Sequence, residues 1–285
     1  EAVNTKPIFC NANELMSKAN FYEKKLINNS LKGIPIIENK KIIKAFILKI
    51  NPLKKNQTPI MIMAGGKGSR LLPITKNIPK PLIKINNKPM IQFIIDKIVE
   101  EDFENLYISI NHLGNQIIEY VNSYNKFGLN IKFIIEKSPL GTAGSLSLIK
   151  KKNIKNLIVI NADVITSLKY EKLLNFHQEN RNEITIAGVR HKYQVPFGSI
   201  HAKNQIFKNI IEKPVIETLV NAGIYVISIG LIKKIKKNKF LSMVDLINSV
   251  SKAKKIGIFP MHEEWLDIGN KENLMRAKKN IKIYK

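Results

Sequence analysis

Four short apolar runs, at 60–64, 106–110, 131–135 and 157–160, alternate with three segments, at 90–101, 117–124 and 143–149, that read as helices. The first of these carries Met90, Ile91, Ile94, Ile95 and Ile98, which is helical spacing. Such a βα repeat predicts strands that run parallel under helices on both faces. The expected fold class is therefore α/β, a doubly wound, Rossmann-like, mostly parallel sheet. Later runs at 183–189, 197–202, 206–211 and 224–227 are strand-like and predict antiparallel additions, and 270–279 closes the chain as a helix. In an open α/β sheet ligands bind beyond the carboxyl ends of the strands, so chemistry is sought in the loops that follow them.

The first such loop is Ala64-Gly65-Gly66-Lys67-Gly68-Ser69-Arg70. Its three glycines let backbone N–H groups turn toward an anion without side-chain obstruction, which suits a phosphate cradle. A P-loop needs four residues between its first glycine and Gly-Lys-Ser/Thr, whereas Lys67 is followed by Gly68. A dinucleotide fingerprint needs a third glycine where Leu71 stands. Downstream, Pro73, Pro79 and Pro81 stiffen the stretch that returns Lys80 toward the loop, so Arg70 and Lys80 are expected to face phosphates.

Other residues stand out by position. Asp163 lies just past a buried strand, where a hard oxygen ligand can meet a divalent cation, and it sits too early to cap a helix starting near Leu168. Asp267, in Trp265-Leu266-Asp267-Ile268-Gly269, reads alone as a turn residue or a cap for the last helix. Gly141 and Thr142 open a helix, with Thr142 as its cap. Glu212 and Lys213 read alone as a solvated ion pair. The five histidines form no triad or ligand spacing and are assigned to surface or scaffold.

The unbroken string from Ala64 to Pro81 resembles the signature G-G-x-G-[ST]-R-L-x-P-[LI]-T-x-x-x-P-K-P of the sugar-1-phosphate nucleotidyltransferases. The later motifs follow in that family's order over roughly Pro59 to Lys285. The resemblance implies that Ala64, Gly65, Gly66, Gly68, Ser69, Arg70, Lys80, Gly141 and Thr142 bind a nucleoside triphosphate. It also implies that Asp163 and Asp267 hold Mg²⁺, and that Gly198, Glu212, Lys213 and Asn221 bind a sugar 1-phosphate. Arg70, Lys80, Asp163 and Lys213 are then the catalytic set. The Leu140-Gly141-Thr142-Ala143-Gly144 form resembles a bacterial branch using GTP in surface-glycan and nonulosonic-acid pathways, with glucosamine 1-phosphate the first expected sugar and mannose 1-phosphate the second. The alternatives kept open are a uridylyl or cytidylyl transferase and a silent, nucleotide-sensing regulatory subunit.

Residues 1–55 follow a different grammar. Polar, helix-compatible stretches precede a strand at 34–37, a turn at 38–41 and a second strand at 42–47. The pattern resembles one cystathionine-β-synthase-type (CBS) repeat, whose family pairs two repeats around an adenosyl ligand. Lys40 and Ala45 stand where that family often has glycine. The plainer reading is a small αβ appendage that packs on the enzyme or on another subunit. The polar stretch 51–58 is the expected linker, and 56–285 the expected transferase domain.

The formal charge of +25 suggests nucleic acid, but Arg70, Arg181, Arg190 and Arg276 are the only arginines and no aromatic-plus-arginine stripe accompanies the lysines. No nucleic-acid partner is expected. Cys10 is the single cysteine, which excludes an internal disulfide and fits a reducing, cytoplasmic location. No apolar run is long enough to span a bilayer, so no membrane partner is expected, while a homo-oligomer remains open. The chain begins at Glu1 without methionine, which leaves room for upstream sequence.

Overall fold

The computed structural model describes residues 8–14, 33–39, 41–47, 56–124, 128–150, 153–250 and 255–280. The chain divides into two compact units, Glu1–Lys55 and Asn56–Lys285. In the first, β1 (Cys10–Asn11) pairs parallel to β2 (Gly33–Glu38), and β2 pairs antiparallel to β3 (Lys41–Ile47). Cys10, Ile34 and Ile36 are its buried apolar residues among those described. Lys40, residues 51–55 of the expected linker and the polar stretch at 15–32 lie outside the described residues.

The second unit is built on a seven-stranded sheet. In chain order come β4 (Ile60–Met63), a two-residue hairpin of β5 (Lys84–Ile85) and β6 (Lys88–Pro89), helix α1 (Met90–Glu100), β7 (Asn105–Ile110), α2 (Gly114–Tyr124) and β8 (Asn130–Ile135). A short α3 (Gly141–Gly144) leads to β9 (Asn156–Asn161), β10 (Val164–Thr166), α4 (Tyr170–Glu179), β11 (Ile184–Gln194), β12 (Ser199–Lys203), β13 (Ile206–Ile211) and β14 (Val215–Ser228). The chain ends through α5 (Ile229–Ile232), α6 (Met243–Val250), β15 (Ile256–Met261), β16 (Trp265–Asp267) and α7 (Lys271–Asn280).

The large sheet has the order β15-β11-β14-β9-β4-β7-β8. β4 is parallel to both neighbours, β7 is parallel to β8 and β11 to β15, while β14 is antiparallel to β9 and β11. One strand therefore runs against six, a mostly parallel sheet. Its central strands are apolar without alternation, as burial on both faces demands: Ile60, Met61 and Ile62 of β4 and Leu157, Ile158, Val159 and Ile160 of β9 are all 0% exposed. From β4 the chain winds one way through β7 to β8, then returns to lay β9 on β4's other side. The crevice at that reversal is where a ligand binds in such sheets.

The segment at 143–149 departs from the sequence expectation. α3 ends at Gly144 and a 3₁₀ turn covers Ser145–Leu148. Ser147 Oγ donates back to Gly144 O, competing for a carbonyl the α ladder would use, while the first-turn N–H groups of Ala143 and Gly144 donate to the distant Leu241 carbonyl. β11 and β14 also run well beyond the expected 183–189 and 224–227.

Beneath the sheet His177 of α4 is 2% exposed. Its Nδ1 lies 2.9 Å from Thr185 Oγ1 and its Nε2 3.4 Å from Ser228 Oγ, a scaffold role that agrees with the sequence reading. Burial holds the imidazole neutral, its pKa lowered to about 4, against an upward pull from Glu183. The folded value is depressed, so the stabilisation is complete above the unfolded value near 6.5 and is lost as pH falls toward about 4. His177→Gln is expected to flatten the decline of melting temperature between pH about 7 and about 4.5, measured by circular dichroism beside the parent chain.

Candidate active site

β4 ends at Met63 and the chain enters the glycine-rich loop, held by Ala64 N donating to Ser109 O (2.9 Å) and by Ala162 N donating to Met63 O (3.2 Å). Ser69–Leu71 forms a 3₁₀ turn, and Thr75 Oγ1 donates to Gly68 O at 2.9 Å, pinning the loop's far end. A third 3₁₀ turn, Lys80–Leu82, follows one at Ile74–Lys76 and delivers Lys80, whose ammonium pairs with Asp163. The two residues are distant in sequence and both partly exposed at 13% and 18%.

A cleft of about 610 Å³ opens here. Ala64, Gly65, Gly66, Gly68, Ser69 and Arg70 form one wall; Gly141 and Thr142 stand among its other lining residues, with Lys80 and Asp163. Ten of the sequence-predicted residues therefore share one cavity.

Asp267 does not line the cleft but sits against residues that do, Arg70, Asp163 and Gly269. β10 pairs antiparallel with β16, setting Val164 opposite Asp267, and Ile268 N donates to Asp163 O at 3.0 Å. Trp265 locks this ladder by donating its indole N–H to Ala222 O (2.8 Å), a packing role. The cap of α7 is Asn270, whose Oδ1 accepts from Asn273 N at 2.8 Å, so Asp267 is not spent on capping. Asp267 Oδ1 is buried and has no hydrogen-bond partner among the described residues. Burial and then the Asp163 charge raise its pKa, opposed by Lys80, Arg70 and a backbone hydrogen bond from Gly269. A Cβ built on Gly269 would lie 3.0 Å from Asp267 Oδ1 and 3.2 Å from an Arg70 guanidinium nitrogen, so both converge on this point. Among the described residues no group of three or more His, Cys, Asp or Glu side chains could hold a metal ion.

The other end of the cleft holds a residue the sequence did not single out. Glu136, just past β8, is only 7% exposed, and it accepts hydrogen bonds from Ser109 Oγ and from Leu140 N (2.9 Å). It lines the cleft and presses on the glycine-rich loop, where a Cβ on Gly65 would lie 2.9 Å from Glu136 Oε1. Read in sequence, Glu136-Lys137-Ser138-Pro139 is an ordinary polar turn; its burial is a tertiary fact.

A second unforeseen element is the segment 239–243. Leu241 exchanges backbone hydrogen bonds with Leu140, Ala143 and Gly144, and Thr142 Oγ1 accepts from Met243 N at 2.8 Å. Thr142 thus tethers α6, rather than capping its own helix. Gly141 has φ +74°, and a Cβ there would meet Leu241 O at 2.6 Å. Gly141→Ala is expected to lower stability by about 1–3 kcal/mol, read from a denaturant unfolding curve, because it adds a backbone clash to a strained φ.

The sugar-side residues lie elsewhere. Glu212 and Lys213 form the exposed turn after β13, with Lys213 at φ +46°, and a Cβ on Gly198 would lie 3.0 Å from Glu212 Oε2. Neither these three nor Asn221 lines the cleft. Asn221 donates its amide to Tyr225 OH (2.7 Å) and accepts from Gly223 N (3.0 Å). Burial raises the Tyr225 pKa, the Asn221 hydrogen bond opposes this and the Asp163 charge adds to it.

The nucleotidyl transferase family profile matches residues 60–283, nearly all of the second unit. The chain belongs to this nucleotidyl transferase family. Within it, the chain is 30% identical over 223 residues to a mannose-1-phosphate guanyltransferase of Yarrowia lipolytica, covering 75% of this chain and 61% of that protein. It is 29% identical over 225 residues to the enzyme of the same name from Saccharomyces cerevisiae, covering 75% and 62%. The chain thus spans about three fifths of the length of these curated relatives. The crystal structure of HddC from Yersinia pseudotuberculosis complexed with GMP-PN superposes with a TM-score of 0.63 at 26% identity, covering 79% of this chain and all of that one. No described helix of this family member is long and apolar enough to cross a membrane.

Proposed function

We propose that the chain is a sugar-1-phosphate guanylyltransferase, which joins GTP and a sugar 1-phosphate into a nucleotide sugar and pyrophosphate for glycan biosynthesis. The observation that carries the reading is the single cleft in which the glycine-rich loop, Arg70 and the Lys80–Asp163 pair meet, with Asp267 directly behind. An oxygen of the sugar phosphate attacks the α-phosphorus in line; a P–O bond forms as the α–β bridging P–O bond breaks. The nucleophile is already an anion, so no proton moves, and catalysis is positioning and charge neutralisation. Lys80 faces the α-phosphate, Arg70 the departing pyrophosphate and Lys213 the incoming phosphate, while Gly198, Glu212 and Asn221 hold the sugar.

Two adjoining carboxylates, one with an orphaned buried oxygen, fit a divalent cation that takes its other ligands from phosphates and water, the usual habit of magnesium. Asp163 and Asp267 would hold it, and when bound it would offset negative charge on the phosphates.

Guanine is favoured by Glu136. An ionised carboxylate only accepts hydrogen bonds, and guanine alone among the bases sets two donors, N1–H and N2–H₂, side by side on one edge. Glu136 retains acceptor capacity beyond the bonds to Ser109 and Leu140. Phe240, 67% exposed at the same cleft, offers an aromatic face for stacking. Mannose 1-phosphate is now placed ahead of glucosamine 1-phosphate because the relatives bear its name. The first unit, on its likeness to a CBS repeat, would bind an adenosyl compound.

Pyrophosphate release measured with the four common ribonucleotides against mannose, glucosamine and glucose 1-phosphates tests the reading. GTP with one of the first two is expected to give the highest kcat/KM; no turnover with any pair would sink it.

A further inference from the structure

Of the two charged side chains on the glycine-rich loop, Arg70 has a role in the proposed chemistry and Lys67 has none. The loop runs between two landmarks of the cleft. A Cβ on Gly65 would lie 2.9 Å from Glu136 Oε1, and a Cβ on Gly68 would lie 3.1 Å from Lys80 Cβ. Lys67 falls between them, one residue before the bend at Gly68, whose φ is +65°. It lines the cleft and is partly buried. A Cβ on Gly66 would meet nothing within 4 Å, so the loop borders open space just ahead of the lysine.

The charges around the cleft leave this one over. Lys67, Arg70, Lys80, Glu136 and Asp163 are the charged residues that line it. Lys80 pairs with Asp163, and Glu136 accepts from Ser109 and Leu140. Arg70 lies near Asp267 and pulls down its pKa. Lys67 joins no ion pair among the described residues. An ammonium carries three donors and no acceptor, so a partly buried one without a carboxylate is completed by an anion. It stands three residues from Arg70 across the Gly68 bend, and the two cations therefore flank one short arc of backbone N–H groups, a concavity that suits phosphate.

We propose that Lys67 is the second cation of the pyrophosphate half of the site, binding the β- and γ-phosphates of the nucleotide and holding pyrophosphate as it leaves. Those two groups carry most of the triphosphate's charge, yet Arg70 is the only other side chain assigned to them. As the α–β bridging P–O bond breaks, its electron pair stays on the departing oxygen, and Lys67 meets that charge as a donor without giving up its proton. A compact ammonium on a flexible stem can follow a leaving group, whereas the fork of Arg70 holds one orientation. The catalytic consequence rests on the guanylyltransferase reading above; the capture of pyrophosphate needs only the loop and its two cations.

Calorimetric titration of the full chain with inorganic pyrophosphate, and separately with GMP, tests this beside steady-state kinetics, all with magnesium and at moderate salt. Lys67→Ala is expected to weaken pyrophosphate about tenfold and GMP by no more than about twofold, with Lys67→Arg restoring most of the loss. In the same variant kcat/KM for GTP falls at least as far, while the KM for mannose 1-phosphate holds. Lys67 has no ion pair to lose, so the thermal melt is expected to match that of the parent chain. Lys279→Ala, an exposed lysine on α7, controls for the general pull of a +25 chain on anions. A parent chain that does not bind pyrophosphate overturns the proposal, as does unchanged affinity in Lys67→Ala, or an equal loss for GMP or in Lys279→Ala. A chain that turns over no nucleotide and sugar pair, yet loses pyrophosphate in Lys67→Ala, sinks the guanylyltransferase reading and keeps Lys67 as a phosphate ligand. Turnover of GTP that is indifferent to Lys67 does the reverse.

Discussion

Asp163→Asn is expected to lower turnover by about 10²–10³-fold and to leave the melting temperature close to that of the parent chain. The size of the loss follows from what the carboxylate does in the proposed site. It is the one acidic group that both lines the cleft and pairs with Lys80, and its charge is felt by Asp267 and Tyr225. Asparagine keeps the volume and the backbone acceptor that receives Ile268 N–H, so the β10–β16 ladder survives. The amide removes a cation ligand and leaves Lys80 without its counter-ion. With Asp163 neutral, one of the two influences that raise the Asp267 pKa also disappears. Steady-state pyrophosphate release beside a thermal melt separates the chemical from the structural effect. Near-normal turnover would dismiss Asp163 from the site; a collapsed melt would make it structural. Arg70→Ala, at another residue lining the cleft, is expected to give a loss of similar size.

The portion of the site legible in the sequence is the portion carried by contiguous residues at strand ends. Gly65 to Lys80 is one string after an apolar strand, and a loop there meets a ligand in any doubly wound sheet. Asp163 was readable for the same reason, standing just past β9. Asp267 reads as a turn when taken alone, because its partner is a strand a hundred residues earlier. What the chain hides is whatever depends on tertiary burial. Glu136 sits in a polar turn and becomes a buried carboxylate only because Ser109 and Leu140 close on it. Lys239-Phe240-Leu241 has no periodicity, yet the Leu241 carbonyl accepts from the first-turn N–H groups of Ala143 and Gly144 and holds the start of that short helix. The first half of β14 escaped notice because Val215 to Leu219 are exposed on both faces, so no alternation of apolar and polar residues marks them.

Glu136→Gln is expected to shrink the preference for GTP over ATP and UTP by about 10²-fold in kcat/KM. The glutamine amide can satisfy the surrounding frame. Its oxygen accepts from Leu140 N–H, and its NH₂ donates to Ser109 Oγ, whose hydroxyl turns to accept. What changes is the edge turned to the cleft, from two acceptors to one acceptor and one donor. Guanine's adjacent N1–H and N2–H₂ then lose one partner and meet a donor in its place. A buried donor facing a donor costs the full desolvation of both groups, about 1–3 kcal/mol, and more when the lost acceptor was charged. Adenine and uracil each place a donor beside an acceptor on the same edge and suffer no such loss. Because the frame is preserved, stability and the KM for the sugar 1-phosphate are expected to hold, so the effect appears in nucleotide selectivity alone. Unchanged selectivity with unchanged stability would remove Glu136 from base recognition and shift that role to the backbone around Gly141 and to the face of Phe240.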